Sequence, residues 1–247
     1  MTPGPRLGAW VKLPTPETVE LLAVAGLDFV VVDDEHATID IRTISTMIST
    51  ALGCGIEPYV RVAGVSPRDV QPALDAGAHG LFVPQVGDAS DAQRAVNATR
   101  FPPLGRRGAS NSGRAGHWGV QSLAEYIEAG SDVKLILQTE TPGALAAIVA
   151  IAQTPGVDGV FIGPSDLAVS MGVELGDPAA RALIVAAEQS CAIHDIPVGT
   201  TAADDAVDLV GRGYRFLVLG TDAGLLRSGA SAAVARARAR SEEADVG

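Results

Sequence analysis

Glu140 and Asp166 each come just after a short apolar run, Lys134–Thr139 and Val160–Ile162, of the kind that forms a buried parallel strand. Gly163 and Pro164 stop the second run. Asp166 therefore falls just past a strand's carboxyl end, where α/β folds collect their ligand-binding groups. On neighbouring strands the two carboxylates would stand side by side. Such a pair either does acid–base work or shares a hard divalent cation such as magnesium or manganese.

The same position recurs along the chain. Asp33, Glu35 and His36 follow Phe29–Val32, Arg61 closes Pro58–Val62, Gln85 follows Leu81–Pro84, Gln138 precedes Glu140, and Ser165 precedes Asp166. Each alone has a plain structural use: Asp33 as a helix cap, His36 as a satisfied loop histidine, Arg61 as an ion-pair partner. Their coincidence at one end of successive strands favours a site, because catalytic groups in β/α barrels come from several strands at that face. Lysine supplies a useful negative. Schiff-base and pyridoxal enzymes need one at the active mouth, and the chain has only Lys12 and Lys134. Lys134 opens its strand, at the wrong end, which leaves Lys12 alone near the mouth and favours a metal over a Schiff base. Gly220–Gly224 follows the last strand but reads as a turn, while Gly211–Gly213, His79 and His194 precede strands. Asp204 and Asp205 read as the first turn of a helix.

What must position these residues is a strand-then-helix unit that repeats. Strands are predicted over 7–13, 29–33, 58–62, 81–84, 134–139, 159–162, 196–199 and 216–219, each followed by helical, often Ala-rich sequence. Thr15-Pro-Glu-Thr18 opens the first helix with a start like a capping box, and further helices are predicted from near Asp40 and from Pro67 to Ala76. Eight such units in 247 residues imply a closed α/β fold, a (β/α)₈ barrel spanning 1–247 as one domain. The stretch Phe101–Val120, rich in Gly, Ser and Arg, is too long for an ordinary connector and is expected to serve binding or subunit contact. The tail is predicted as a helix over Ala232–Arg240 that fades into a disordered acidic end.

Composition narrows the function further. A hydrophobic fraction of 47% with 4% aromatic residues suits helix-on-sheet packing. A net charge of -11 argues against nucleic acid, whose phosphates are held mainly by Lys and Arg. Cys54 and Cys191 suggest neither a zinc site nor a disulfide framework and fit a reducing cytoplasm. No window approaches a membrane span or a signal peptide, so a soluble cytoplasmic protein is expected.

The segments Leu7–Trp10, Val31–His36, Val60–Arg61, Leu74–Ala78, Gln138–Glu140 and Phe161–Leu167 together resemble the HpcH/HpaI aldolase family over nearly the whole chain. That resemblance implies a modified barrel of the phosphoenolpyruvate/pyruvate superfamily, in which a metal-dependent enzyme cleaves 4-hydroxy-2-oxoacids to pyruvate, or a close relative, and an aldehyde. It implies Glu140 and Asp166 as ligands of Mg²⁺, Mn²⁺ or Co²⁺, Arg61 as the enolate-stabilising group, and His36 with nearby Asp33 for proton transfer. Gln138, Ser165, Asp166 and Trp10 would meet the substrate. It further implies a homo-oligomer, dimers that often form hexamers, with the last helix exchanged between subunits. Asp34 departs from the family pattern, where a small or apolar residue is usual, and Asp75 matches a family position at a helix end. Two rivals remain. One is a citrate-lyase-β-like enzyme acting on an acyl-CoA, for which no basic patch is evident, and the other is a non-catalytic barrel that binds 2-oxoacids.

Overall fold

Eight parallel strands close on themselves in chain order in the computed structural model, which describes residues 4–202 and 206–245. They are β1 (Arg6–Val11), β2 (Phe29–Asp33), β3 (Glu57–Arg61), β4 (Gly80–Val83), β5 (Lys134–Thr139), β6 (Gly159–Ile162), β7 (Val198–Thr201) and β8 (Phe216–Thr221). The helices are α1 (Pro16–Val24), α2 (Ile41–Cys54), α3 (Pro67–Asp75), α4 (Ala89–Thr99), α5 (Leu123–Ala129), α6 (Pro142–Ala146), α7 (Ile148–Ala152), α8 (Pro164–Met171), α9 (Pro178–Ile193), α10 (Ala206–Gly211) and α11 (Asp222–Asp245). This is the expected (β/α)₈ barrel. Among the described residues no helix is long and apolar enough to cross a membrane.

The period-two alternation of a strand sorts each run into two faces. Val30, Val32, Leu81, Leu135, Leu137, Val160 and Ile162 pack outward under the helices. Trp10, Phe29, Val31, Tyr59, Phe82, Ile136 and Phe161 fill the barrel interior instead. Rings there meet edge to face, with Trp10 5.5 Å from both Phe82 and Phe161. Two glycines make room for rings on neighbouring strands: a Cβ on Gly8 would lie 2.4 Å from Phe29, and one on Gly199 2.0 Å from Phe216. The inward face continues past this aromatic plug into polar residues, so that Asp33 follows Phe29 and Val31, Arg61 follows Tyr59, and Gln138 and Glu140 follow Ile136. The barrel register sets Asp33 opposite Arg61.

Several local expectations change. Thr15 makes no capping bond to the backbone, because Glu17 stands one position too early for a capping box, and the Thr15 hydroxyl donates to the Glu17 carboxylate instead. β1 stops at Val11 because the N–H groups of Lys12 and Leu13 turn to the buried Asp222 carboxylate. β7 begins at Val198, after a turn at Asp195 with φ 51°. The Phe101–Val120 stretch links α4 to α5 and β5, so it lies at the barrel's amino-terminal end, opposite the mouth. There Arg107 bonds Asp75 at the end of α3 and the Tyr126 hydroxyl. The final helix continues to Asp245 rather than fading at Arg240, and residues 225–239 are exposed along it. Asp204 and Asp205 lie outside the described residues.

Candidate active site

The carboxyl ends of the strands gather these polar residues into one mouth. Asp33 is fully buried and accepts a fork from Arg61, Nε to Oδ1 at 2.8 Å and Nη2 to Oδ2 at 2.6 Å. The Lys12 ammonium reaches the same Oδ2 at 2.5 Å. Oδ1 also accepts the backbone N–H groups of Glu35 and His36, each at 3.2 Å, which shapes the loop after β2. Burial alone would raise the Asp33 carboxyl, but Arg61 and then Lys12 overcome it and hold it at about 2.

Arg61 lies over the Trp10 ring, its Cζ 4.4 Å from the centroid, and its Nη1 stands 3.3 Å from Glu35 Oε2. Glu35 Oε1 accepts from Gln85 Nε2 at 3.0 Å. The Gln85 backbone N–H in turn donates to Glu140 Oε2 at 3.1 Å. Gln85 adopts φ 58°, a left-handed backbone that costs a non-glycine residue roughly 1–2 kcal/mol. The conformation aims its N–H at Glu140 while its side chain reaches Glu35. Gln138 Nε2 donates to Glu140 Oε1 at 2.6 Å. One hydrogen-bonded and ion-paired chain thus runs from Lys12 through Asp33, Arg61, Glu35 and Gln85 to Glu140 and Gln138.

Glu140 is buried at the bottom of the mouth, and Gly163 gives it room, since a Cβ there would lie 3.0 Å from its Cγ. Burial pushes its carboxyl upward, and the nearby charges of Asp166 and Glu35 add to this against the bonds from Gln85 and Gln138. Asp166 and Ser165 are exposed in the first turn of α8, where backbone N–H groups lack intrahelical acceptors. Among the described residues no three His, Cys, Asp or Glu side chains converge as a metal cluster. The donors the chain offers are the coupled carboxylates of Glu140 and Asp166. They suit a hard cation that completes its shell with water and substrate. Two further observations fit. The carboxylates Asp33, Glu35, Glu140 and Asp166 outnumber the cations Lys12 and Arg61, and the buried Gln138 Oε1 has no hydrogen-bond partner.

His36 sits at the rim with its side chain 55% exposed, and its Nε2 is 3.5 Å from Glu35 Oε2. Asp33, expected beside this imidazole, instead serves Arg61 and Lys12 and touches His36 only through the backbone. Glu35 takes the place beside the ring. Asp34 lies outside the network; its N–H donates to the Arg61 carbonyl, and burial, then Asp69 and Asp33, push its carboxyl up. Asp75 is at the other end of the barrel, held by Arg107 and Tyr126. The sequence places Glu35 and Gln85 at the mouth without roles and Lys12 there only as a disfavoured Schiff-base lysine. In it Asp222 reads as part of a turn, and only the alternation along each strand could have shown which of these point inward.

Comparison with known proteins gives a consistent result. The profile of the HpcH/HpaI aldolase/citrate lyase family matches residues 6–229. A pyruvate aldolase of Rhizobium etli is 37% identical over 237 residues, 94% of this chain and 92% of that protein. A 4-hydroxy-2-oxo-heptane-1,7-dioate aldolase of Salmonella typhimurium is 35% identical over 240 residues, 94% of this chain and 90% of that protein. The crystal structure of an HpcH/HpaI aldolase/citrate lyase family protein from Burkholderia cenocepacia J2315 is similar with a TM-score of 0.88. It shows 33% identity and covers 95% of each chain.

Proposed function

The chain belongs to the HpcH/HpaI aldolase/citrate lyase family and is a carbon–carbon lyase, and we propose that it cleaves and forms 4-hydroxy-2-oxoacids, with pyruvate or a close 2-oxoacid as nucleophile and an aldehyde as partner. The observation that carries this reading is the continuous chain from Arg61 through Glu35 and Gln85 to Glu140, which ties a cationic donor to a buried carboxylate that feels the charge of Asp166. Glu140 and Asp166 would hold a divalent cation, whose chemistry is to polarise the substrate's 2-oxo group. The N–H groups of Ser165 and Asp166 meet the substrate carboxylate at the start of α8. Gln138 lines the floor, and Trp10 supports Arg61 from beneath and closes the apolar side of the pocket.

Cleavage transfers the proton of the 4-hydroxyl to His36, whose imidazole is accessible at the rim beside Glu35. The C3–C4 bond breaks, C4 leaves as the aldehyde, and the electron pair becomes the enolate of the 2-oxoacid. Arg61, fixed by Asp33, donates to the enolate oxygen, where charge develops. Protonation at C3 then releases pyruvate. Lys12 is committed to Asp33 by its ion pair, which favours this route over a Schiff base.

We further infer a cytoplasmic homo-oligomer, dimers building toward a hexamer, in which α11 crosses to a neighbour. On α11 Leu225, Leu226 and Val234 are exposed, at 40%, 67% and 48%. Leu21 and Val24 on α1 and Val207 and Val210 on α10 are exposed too, on the helices that flank the place of the eighth barrel helix.

The deciding experiment follows pyruvate release from a panel of 4-hydroxy-2-oxoacids by coupling to lactate dehydrogenase. EDTA should silence turnover and Mg²⁺, Mn²⁺ or Co²⁺ should restore it, while borohydride with pyruvate leaves the protein's mass unchanged. Pyruvate binding without turnover, or cleavage of acyl-CoA esters alone, would replace this reading with one of its rivals. Activity that survives chelation with borohydride fixing pyruvate on Lys12 would establish a Schiff base instead.

A further inference from the structure

Lys12 touches the catalytic arginine's anchor, and no step of the cleavage described so far uses it. Its ammonium and the Arg61 guanidinium share Oδ2 of Asp33, at 2.5 Å and 2.6 Å. Its backbone is fixed as well. Both oxygens of the Asp222 carboxylate accept from Lys12 N–H at 3.1 Å, and Asp222 Oδ2 also takes Leu13 N–H at 2.9 Å. Asp222 is itself 4% exposed and opens α11, so the end of β1 is pinned to the root of the last helix.

The electrostatics of that arrangement are specific. A guanidinium locked in a fork with one carboxylate forms a neutral pair, and a neutral pair attracts a developing oxyanion only weakly. Glu35, at 3.3 Å from Arg61 Nη1, weakens it further. A second cation on Asp33 brings the group of Arg61, Asp33 and Glu35 from a net charge of -1 to neutral, just where Arg61 faces the mouth. It also shares Oδ2 with Arg61 Nη2, one more contact holding the carboxylate that fixes the guanidinium above Trp10.

The geometry points to Lys12 as a positioning residue for enolisation, one that offsets the charge of Asp33 so that less of the Arg61 charge is neutralised there when the enolate oxygen forms. The inference rests on the aldolase reading. Lys12 does not contact substrate in it; it acts through Asp33 and Arg61.

The test uses the full-length enzyme with three measurements: kcat and KM for cleavage, the rate at which pyruvate methyl protons exchange with deuterium in D₂O, and Tm. Lys12→Gln keeps a donor for Asp33 but removes the charge. It should lower kcat and the exchange rate together, by roughly ten- to a hundredfold as expected for a lost charge near a developing oxyanion, with KM changed less than about threefold. Lys12→Arg restores the charge and should recover most of both rates. A role confined to bracing β1 predicts the opposite pattern, a lower Tm with normal turnover of the folded fraction. Lys12→Gln with wild-type kcat and exchange overturns the inference, as does Lys12→Arg impaired as deeply as Lys12→Gln. Should Lys12→Gln not fold, Lys12→Met and Lys12→Arg give the same comparison of charge against shape. A wild-type enzyme that neither exchanges nor cleaves overturns the aldolase reading and this inference with it, whereas an active wild type matched by Lys12→Gln overturns the inference alone.

Discussion

Replacing Glu140 with glutamine separates what this carboxylate costs the fold from what it does for a cation. Glu140 is 7% exposed, and burial, with Asp166 and Glu35 nearby, raises its carboxyl. A raised carboxyl stabilises the folded state fully below its unfolded pKa, and that contribution is lost as pH rises through the folded value. At neutral pH Glu140 of the metal-free protein therefore works against folding. Glu140→Gln removes the charge, and its amide N–H₂ takes the place of Oε1 opposite Gln138 Nε2, so the Gln138 amide must turn over and accept through its Oε1. The new amide carbonyl keeps the bond from Gln85 N–H. One hydrogen bond to Gln138 is exchanged for another, so the gain is the lost charge alone: about 1.4 kcal/mol per pKa unit of upward shift, and each kcal/mol moves Tm by roughly 2–4 °C in a chain of this size. The metal-free variant should thus melt above metal-free wild type, by roughly 3–5 °C for each pKa unit of that shift. A cation reverses the order. At a hundred times Kd, mass action stabilises wild type by about 2.7 kcal/mol, roughly 5–11 °C, while a variant with half its ligand pair gains little. Thermal unfolding followed by circular dichroism, after EDTA treatment and with or without added Mn²⁺, reads both effects. A metal-free Glu140→Gln protein that melts below wild type refutes the electrostatic argument, and one that gains as much from Mn²⁺ refutes the ligand assignment.

Other expectations follow from the same geometry. Arg61→Ala should lower kcat by on the order of 10²–10³ with a smaller rise in KM, and Arg61→Lys should recover little because the fork on Asp33 is lost; steady-state kinetics with near-normal kcat would move Arg61 to substrate binding. Asp33 has its carboxyl depressed to about 2, so its stabilisation is complete above the unfolded value and lost as pH falls toward 2. Wild type should lose stability steeply across that acid window and Asp33→Asn less so, which urea melts at stepped pH will check. Light scattering should find an oligomer at micromolar concentration that Leu226→Glu with Val234→Glu breaks apart; a well-behaved wild-type monomer would rule out the exchanged helix.

How far the site could be read from the chain depends on which physical rule placed each residue. The barrel was legible because eight apolar runs alternate with helical sequence, and parallel pairing through helices leaves few other ways to close a chain of this length. Asp33, Arg61, Glu140 and Asp166 were legible for the same reason: each stands at or just past a strand's carboxyl end, and that position alone brings them to one mouth. Contacts within the mouth were not. Asp33 lies three residues before His36, and the loop between them reads as if the carboxylate served the imidazole. In the structure the pleat turns Asp33 inward onto the Arg61 fork, with register partner Arg61 directly opposite it, and the loop's own N–H groups take the remaining lone pairs.

Lys12 shows the limit most plainly, because its role is fixed by residues from three distant parts of the chain. The run Leu7–Leu13 reads as uninterrupted strand, which would place Lys12 by simple alternation. Asp222, 210 positions away, instead captures the N–H groups of Lys12 and Leu13 and ends β1 at Val11. That capture ends the pairing of β1 while Lys12, two residues after the inward Trp10, carries its ammonium to Asp33. Counting lysines was enough to disfavour a Schiff base, but it treated the surviving lysine as a spare nucleophile. Placed on a carboxylate that already holds a guanidinium, the same ammonium becomes a source of potential, and it is by charge, not by covalent chemistry, that it bears on the enolate.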